Sequence, residues 1–246
     1  KRDDKMTQRQ NYSRPRRHRM TQEERRRQII RRTAIAGVAC LGAIFIIGGA
    51  IRIFAPSIGT LHTLDGDSSG IGNPTKQVPM PELDVQLLTV NEYSRPGIHT
   101  DGVQGVVVHY TANPGSTAQN NRDYFESLKD TKDNQVSSNF VIGMEGEIIQ
   151  CIPTAEIAYA SNSRNHDTVS IECCHPDETG KFTDATYDSL VELVAFLCGK
   201  FDLTTDDVIR HYDVTGKECP KYFVEHEDKW QKFKKDVAKY IQENGE

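Results

Sequence analysis

The sequence predicts an α/β domain, a central and mostly β-sheet layer flanked by helices, preceded by one N-terminal transmembrane helix. Three observations predict it. Short β-branched runs such as Val106-Val-Val108 and Val169-Ser-Ile171 alternate with longer stretches whose apolar residues recur every three or four positions, and that interleaving builds an α/β domain. Residues 34–51 form an uninterrupted run of eighteen residues without charge. Charge divides around that run: residues 1–32 hold thirteen Lys/Arg against four Asp/Glu, whereas residues 53–246 hold sixteen against thirty-one.

At 246 residues the chain has room for one ordinary domain plus extensions. Residues 1–32 are Arg-rich and poor in large apolar side chains, so they cannot bury enough surface to offset chain entropy, and a disordered or loosely helical tail is expected. A nucleic-acid arm is the alternative; the apolar run that follows argues against it, and the acidic body excludes a nucleic-acid-binding domain. With Ile53 and Phe54 beyond Arg52, the apolar run can span a hydrocarbon core of ~30 Å, so residues 33–54 read as a transmembrane helix. Arg25, Arg26, Arg27, Arg31 and Arg32 precede it directly. By the positive-inside rule they stay cytoplasmic and the C-terminal bulk lies outside. A cleaved signal peptide is the competing reading, although its apolar region is shorter, ~7 to 15 residues. Residues 55–83, rich in Pro, Gly, Ser, Thr and Asp without a sustained period, read as a flexible linker.

The domain is expected over 84–246. Apolar alternation resumes at residues 85–90, and Ser94-Arg-Pro-Gly97 is a turn. Val106-Val-Val-His-Tyr110 is a buried strand that delivers His109 near its C-terminal end. Residues 117–129 carry Tyr124, Phe125 and Leu128 on one side of a helix. Phe140-Val-Ile142 and residues 148–152 flank Met-Glu-Gly-Glu, a hairpin signal with Gly146 available for a positive φ. Residues 169–174 form another strand. Thr183 can cap a helix whose Leu190, Val194, Leu197 and Phe201 cover one sheet face, residues 208–212 form the last strand, and Trp230, Phe233, Val237, Tyr240 and Ile241 stripe a C-terminal helix. Six cysteines in a chain this long define no disulfide scaffold; Cys151 and Cys198 read as small buried hydrophobes, and pairings among Cys151, Cys173, Cys174 and Cys198 are left unassigned.

The chemistry concentrates in residues 211–220, His-Tyr-Asp-Val-Thr-Gly-Lys-Glu-Cys-Pro. His211 and Cys219 offer an imidazole nitrogen and a thiolate, ligand types that suit Zn²⁺, and a third protein ligand must come from elsewhere. His109 is the candidate, because none of His18, His62, His99, His166, His175 and His226 ends such an apolar run. Glu172 ends an apolar strand, where a carboxylate is costly unless it is paired or functional. Lys217, two residues before Cys219, is the cation beside these groups; a solvated loop lysine is the alternative.

Val-Val-His-Tyr-Thr, then Ser-Asn-Phe-Val-Ile-Gly-Met-Glu-Gly-Glu-Ile (138–148), Val-Ser-Ile-Glu172, and Arg-His211 through Cys219-Pro220 resemble, in order, type 2 N-acetylmuramoyl-L-alanine amidases, zinc hydrolases of peptidoglycan. The resemblance runs from about residue 84 to about residue 240. It implies a peptidoglycan recognition protein-like amidase domain, zinc on His109, His211 and Cys219, catalysis by Glu172 and Lys217, and peptidoglycan or muropeptides as partners at the outer face of the membrane. By family position, Tyr110, Asn113, Asn139, Arg164 and Asn165 would line the substrate groove. Two features depart from parts of the family: Ser138-Asn139 stand where some members have a catalytic tyrosine, and Cys219 where others have Asp. A non-catalytic peptidoglycan-binding receptor is the alternative, against which Cys219 counts, since receptor-like relatives usually lack this ligand. A Cys-His hydrolase with Cys219 as nucleophile leaves His109 unexplained.

Overall fold

A computed structural model describes residues 76–246. The basic tail, the span at 33–54 and the linker up to residue 75 lie outside the described residues, among which no helix is long and apolar enough to cross a membrane. The sheet has six strands in the order β1 (Asp84–Val85), β4 (Ile148–Gln150), β3 (Phe140–Ile142), β5 (Val169–Cys173), β2 (Val106–Tyr110), β6 (Val208–Arg210). All neighbours are parallel except the β3–β4 hairpin. Its turn holds Gly146 at φ 88°, where an added Cβ would lie 2.8 Å from the Ser189 hydroxyl, so that position is closed to larger residues.

One face is a continuous apolar layer. Val106, Val108, Phe140, Ile142, Val169, Ile171 and Val208 pack beneath α2 (Asp184–Phe201) and α5 (Glu227–Asn244), the near-continuous burial that parallel strands require. Thr183 accepts the Thr186 N–H at the start of α2, and Leu190, Val194 and Leu197 are buried as their spacing predicts. Trp230, Phe233, Val237 and Ile241 do the same for α5. The other face is covered by different elements along its width. Helix α1 (Ala118–Thr131) places Phe125 and Leu128 in the interior above β3 and β4, while Tyr124, about 100° round the helix from Phe125, is 46% exposed, which corrects the expected three-residue apolar side. Over β2 and β5 that face carries His109 and Glu172.

Two boundaries differ from the sequence reading. Packing begins before residue 84: Val78 is buried, the Gln77 backbone exchanges two hydrogen bonds of 3.0 Å with Glu246, and Gly199 leaves no room for a Cβ beside the Lys76 carbonyl. Residues 76–83 therefore belong with the domain. The last strand stops at Arg210, because the Asp213 carboxylate accepts the Arg210 N–H at 2.8 Å and starts the short helix α3 (His211–Thr215). The Arg210 guanidinium also bonds Asp213, the Phe223 carbonyl and Glu227, and lies between the Tyr212 and Trp230 rings. It thereby fixes α4 (Lys221–Glu225) and the intervening loop against α5.

Segment 86–89 is tied to α1 by Glu126, which accepts from Thr89 N and Oγ1 and from the Lys129 ammonium. Partial burial pushes its carboxyl up, but these donors outweigh burial and bring it down to about 2. Folding therefore favours the carboxylate, and this stabilisation is complete above about pH 5 and lost as pH falls toward 2. Glu126→Gln should cost about 1–2 kcal/mol at pH 7 after allowance for solvent screening. Urea unfolding of both proteins should show the gap closing near pH 2; equal stability at pH 7 would refute the assignment.

Candidate metal centre

Parallel register brings the first two site residues together. His109 pairs with Glu172 across β2 and β5, so both side chains leave the sheet on the face opposite the α2–α5 layer, and Glu172 Oε1 lies 4.0 Å from His109 Nδ1. Strand β6 lies on the other side of β2 and ends one residue before His211, whose ring centroid is 4.7 Å from that of His109. After α3 the chain turns at Gly216, φ 75°, and returns so that the Cys219 carbonyl accepts the Tyr212 N–H at 2.9 Å. That return sets Cys219 Sγ 3.8 Å from His109 Nδ1.

One nitrogen from each histidine and the Cys219 sulfur all lie within 4.8 Å of one another, and all three residues are buried. A tetrahedral ion with zinc-like bond lengths spaces such ligand atoms about 3.3 to 3.6 Å apart, so a small contraction would close the set. Two buried atoms without hydrogen-bond partners, His211 Nδ1 and Glu172 Oε2, sit in the same place. A buried polar atom is costly unless satisfied. The donor set, two imidazoles and a thiol, and the orphaned atoms therefore both fit a borderline-soft cation.

Burial governs the protonation states. It pushes His109 well below the usual imidazole value, helped by His211 and Lys217, and lowers His211 with Lys217 adding to the effect, so both are neutral and able to ligate. It raises the Glu172 carboxyl to about 8 against the pull of Lys217. It raises the Cys219 thiol to about 12, with Glu172 adding to the effect and the Tyr110 N–H and Lys217 opposing it. Lys217 itself is exposed in the loop before Cys219.

The five residues expected to line a groove separate into two groups. Tyr110, half-buried with its ring 5.1 Å from that of His175, and Asn113, exposed in the loop after β2, lie at the end of β2 that carries His109. The other three are engaged in bonds within the fold. Asn139 is fully buried: its Nδ2 donates to the Pro153 and Glu156 carbonyls, and its Oδ1 accepts from Ser170 N and Oγ. Arg164 is held by both Asp167 oxygens near Gly105, at the opposite end of β2 from His109. Asn165 Oδ1 accepts the N–H groups of Ala160 and Ser161. Two contacts to the histidines have no counterpart in the sequence reading: Ser161 Oγ lies 3.2 Å from His109 Nε2, and Asn162 Oδ1 lies 2.9 Å from His211 Nε2. Only Asn162, a residue type that tolerates positive φ and here sits at 52°, carried any local signal. The five cysteines among the described residues are free and buried.

Comparison with known proteins agrees with this architecture. The chain is 36% identical over 170 residues to the N-acetylmuramoyl-L-alanine amidase CwlL of Bacillus licheniformis, covering 64% of this chain and 47% of that protein. It is 33% identical over 171 residues to the N-acetylmuramoyl-L-alanine amidase BlyA of Bacillus subtilis (strain 168), covering 61% and 45%. The chain thus spans about half the length of the curated relatives it matches. The fold is similar to that of PlyL, with a TM-score of 0.56 at 23% identity over 64% of this chain and 97% of that one, and to the PlyG catalytic domain, with a TM-score of 0.56 at 24% identity over 65% and 96%. The family model described as N-acetylmuramoyl-L-alanine amidase matches residues 99–222, a span that takes in His109, Glu172, His211, Lys217 and Cys219, and the chain belongs to that family, Amidase_2.

Proposed function

We propose that the domain hydrolyses the amide bond between N-acetylmuramic acid and L-alanine of peptidoglycan, with Zn²⁺ held by His109, His211 and Cys219. The observation that carries this reading is the convergence of two neutral imidazoles and a thiol on one buried space, with a carboxyl in the adjacent register position. Family membership and the amidase names of its relatives support the choice of bond.

Zinc, when bound, supplies a Lewis acid that polarises a carbonyl and eases deprotonation of water. The chain's residues account for the rest. Glu172, raised by burial to about 8 against the pull of Lys217, acts through the ionised fraction present near neutrality, taking a proton from the attacking water and delivering it to the leaving nitrogen. Water adds to the carbonyl carbon, the C–N bond breaks, and the products are a lactyl carboxylate and the free amino group of L-alanine. Lys217, exposed beside the cluster and close enough to influence both histidines, brings positive charge to the oxygen that becomes negative. A thiol-nucleophile reading is disfavoured, since burial pushes Cys219 to about 12, opposite to what a thiolate nucleophile needs. A receptor needs neither a full ligand set nor Glu172.

The same proposal places the domain outside the cell membrane, with residues 1–32 cytoplasmic and 33–54 spanning. Its support is the charge asymmetry around an uncharged run. Protease added to intact protoplasts should release the domain; protection would overturn the topology.

For the metal, Cys219→Ser should lose most bound zinc, because a neutral hydroxyl replaces a soft anionic ligand. Unchanged zinc stoichiometry in the purified variant would eliminate Cys219 as a ligand. For catalysis, Glu172→Gln should retain zinc and fold while turnover falls ~10²- to 10⁴-fold, and Lys217→Ala should retain zinc with a loss of about 10²- to 10³-fold. Release of free stem peptide from purified peptidoglycan, measured beside zinc content, checks both; wild-type turnover by Glu172→Gln would assign the base elsewhere.

A further inference from the structure

Two adjacent residues touch the two histidines, each on Nε2. Ser161 Oγ meets His109 Nε2 at 3.2 Å, and Asn162 Oδ1 meets His211 Nε2 at 2.9 Å. A neutral imidazole carries one N–H, and an amide oxygen can only accept. Asn162 therefore places the His211 proton on Nε2 and leaves a lone pair on Nδ1, the buried atom without a hydrogen-bond partner among the described residues. For His109 the nitrogen facing Cys219 is again Nδ1, so the Ser161 hydroxyl is the acceptor when that nitrogen offers its lone pair.

The loop is built to hold these acceptors in place. Asn162 sits at φ 52°, a left-handed conformation that Asn adopts more readily than other non-glycine residues and that local bonds fix here. The surrounding structure is visible: Asn165 Oδ1 gathers the N–H groups of Ala160 at 3.1 Å and Ser161 at 2.6 Å, and the Arg164 N–H bonds back to the Ser161 carbonyl at 3.0 Å. Ser161 is buried.

We infer that Ser161 and Asn162 are positioning residues that lock both histidines as Nε2–H tautomers and so aim both Nδ1 lone pairs at the metal space, with Asn165 shaping the turn that presents them. The inference rests on the metal reading above. Partners of this kind typically contribute ~10- to 100-fold to metal affinity.

The test uses the full chain, with zinc as the probe. Asn162→Gly accepts the left-handed backbone without strain and removes only the acceptor, so unfolding of the zinc-free protein should be unchanged while zinc affinity, measured by chelator competition, falls ~10- to 100-fold. Ser161→Ala should weaken zinc similarly through His109. Asn162→Asp retains an acceptor at the same place and should keep zinc affinity at or above that of the wild type. Histidine ¹⁵N shifts in the zinc-free chain should report Nε2–H for both rings in the wild type and a tautomer mixture for His211 in Asn162→Gly. Wild-type zinc affinity in both Asn162→Gly and Ser161→Ala, or an unaltered His211 tautomer in Asn162→Gly, would overturn the inference alone. Equal losses in Asn162→Asp and Asn162→Gly would also overturn it, since the acceptor would then be irrelevant. A wild-type chain that takes up no zinc would overturn the metal reading and this inference with it.

Discussion

The pairing of β2 with β5 is the constraint on which the site depends. Because side chains alternate along a strand, the register that sets His109 opposite Glu172 also sets Val106 and Val108 opposite Val169 and Ile171. A slip of one residue would move those valines and Ile171 off the α2–α5 face and push His109 and Glu172 into the apolar layer. Burial of the valine run thus specifies the register, and the register specifies which polar pair faces outward. The site geometry is inherited from the hydrophobic core.

The second half of the site is held by a different device. His211 and Cys219 sit at the ends of a loop, where apolar burial is sparse, and that loop is tied down by the Arg210 guanidinium between two rings and against two carboxylates and a carbonyl. An arginine so placed makes directional bonds that an aliphatic side chain could not. Its position directly before His211 means that the anchor and His211 share one backbone turn.

The parts of this fold legible in sequence were those with a long or strong period. Thr183 with Leu190, Val194 and Leu197, the Trp230–Ile241 stripe, and the Gly146 hairpin were readable because one residue type at one spacing determines the outcome. The clustering of His109, His211 and Cys219 was readable for a similar reason: a strand end and a short loop leave few places for those side chains. What was not legible depended on partners distant in sequence. Asn139 becomes a buried brace only because Ser170, thirty-one residues on, offers an N–H and a hydroxyl. Arg164 lies near Gly105, at the other end of β2 from His109, because Asp167 holds it there. Ser161 and Asn162 look like ordinary loop residues until one histidine from a strand and another from the start of a short helix arrive beside them.

Electrostatics explains why so many titratable groups tolerate one buried place. Desolvation disfavours the charged form of each, so His109 and His211 lose their protons while Glu172 and Cys219 keep theirs, and the four groups form a neutral cluster rather than a set of opposed charges. Neutrality limits the penalty of burial, yet it leaves His211 Nδ1 and Glu172 Oε2 without hydrogen bonds. A protein that needed only stability would fill this space with apolar side chains, as it does on the other face of the same two strands. A bound cation would offset that cost, since such a site requires the thiol deprotonated and the imidazole lone pair free.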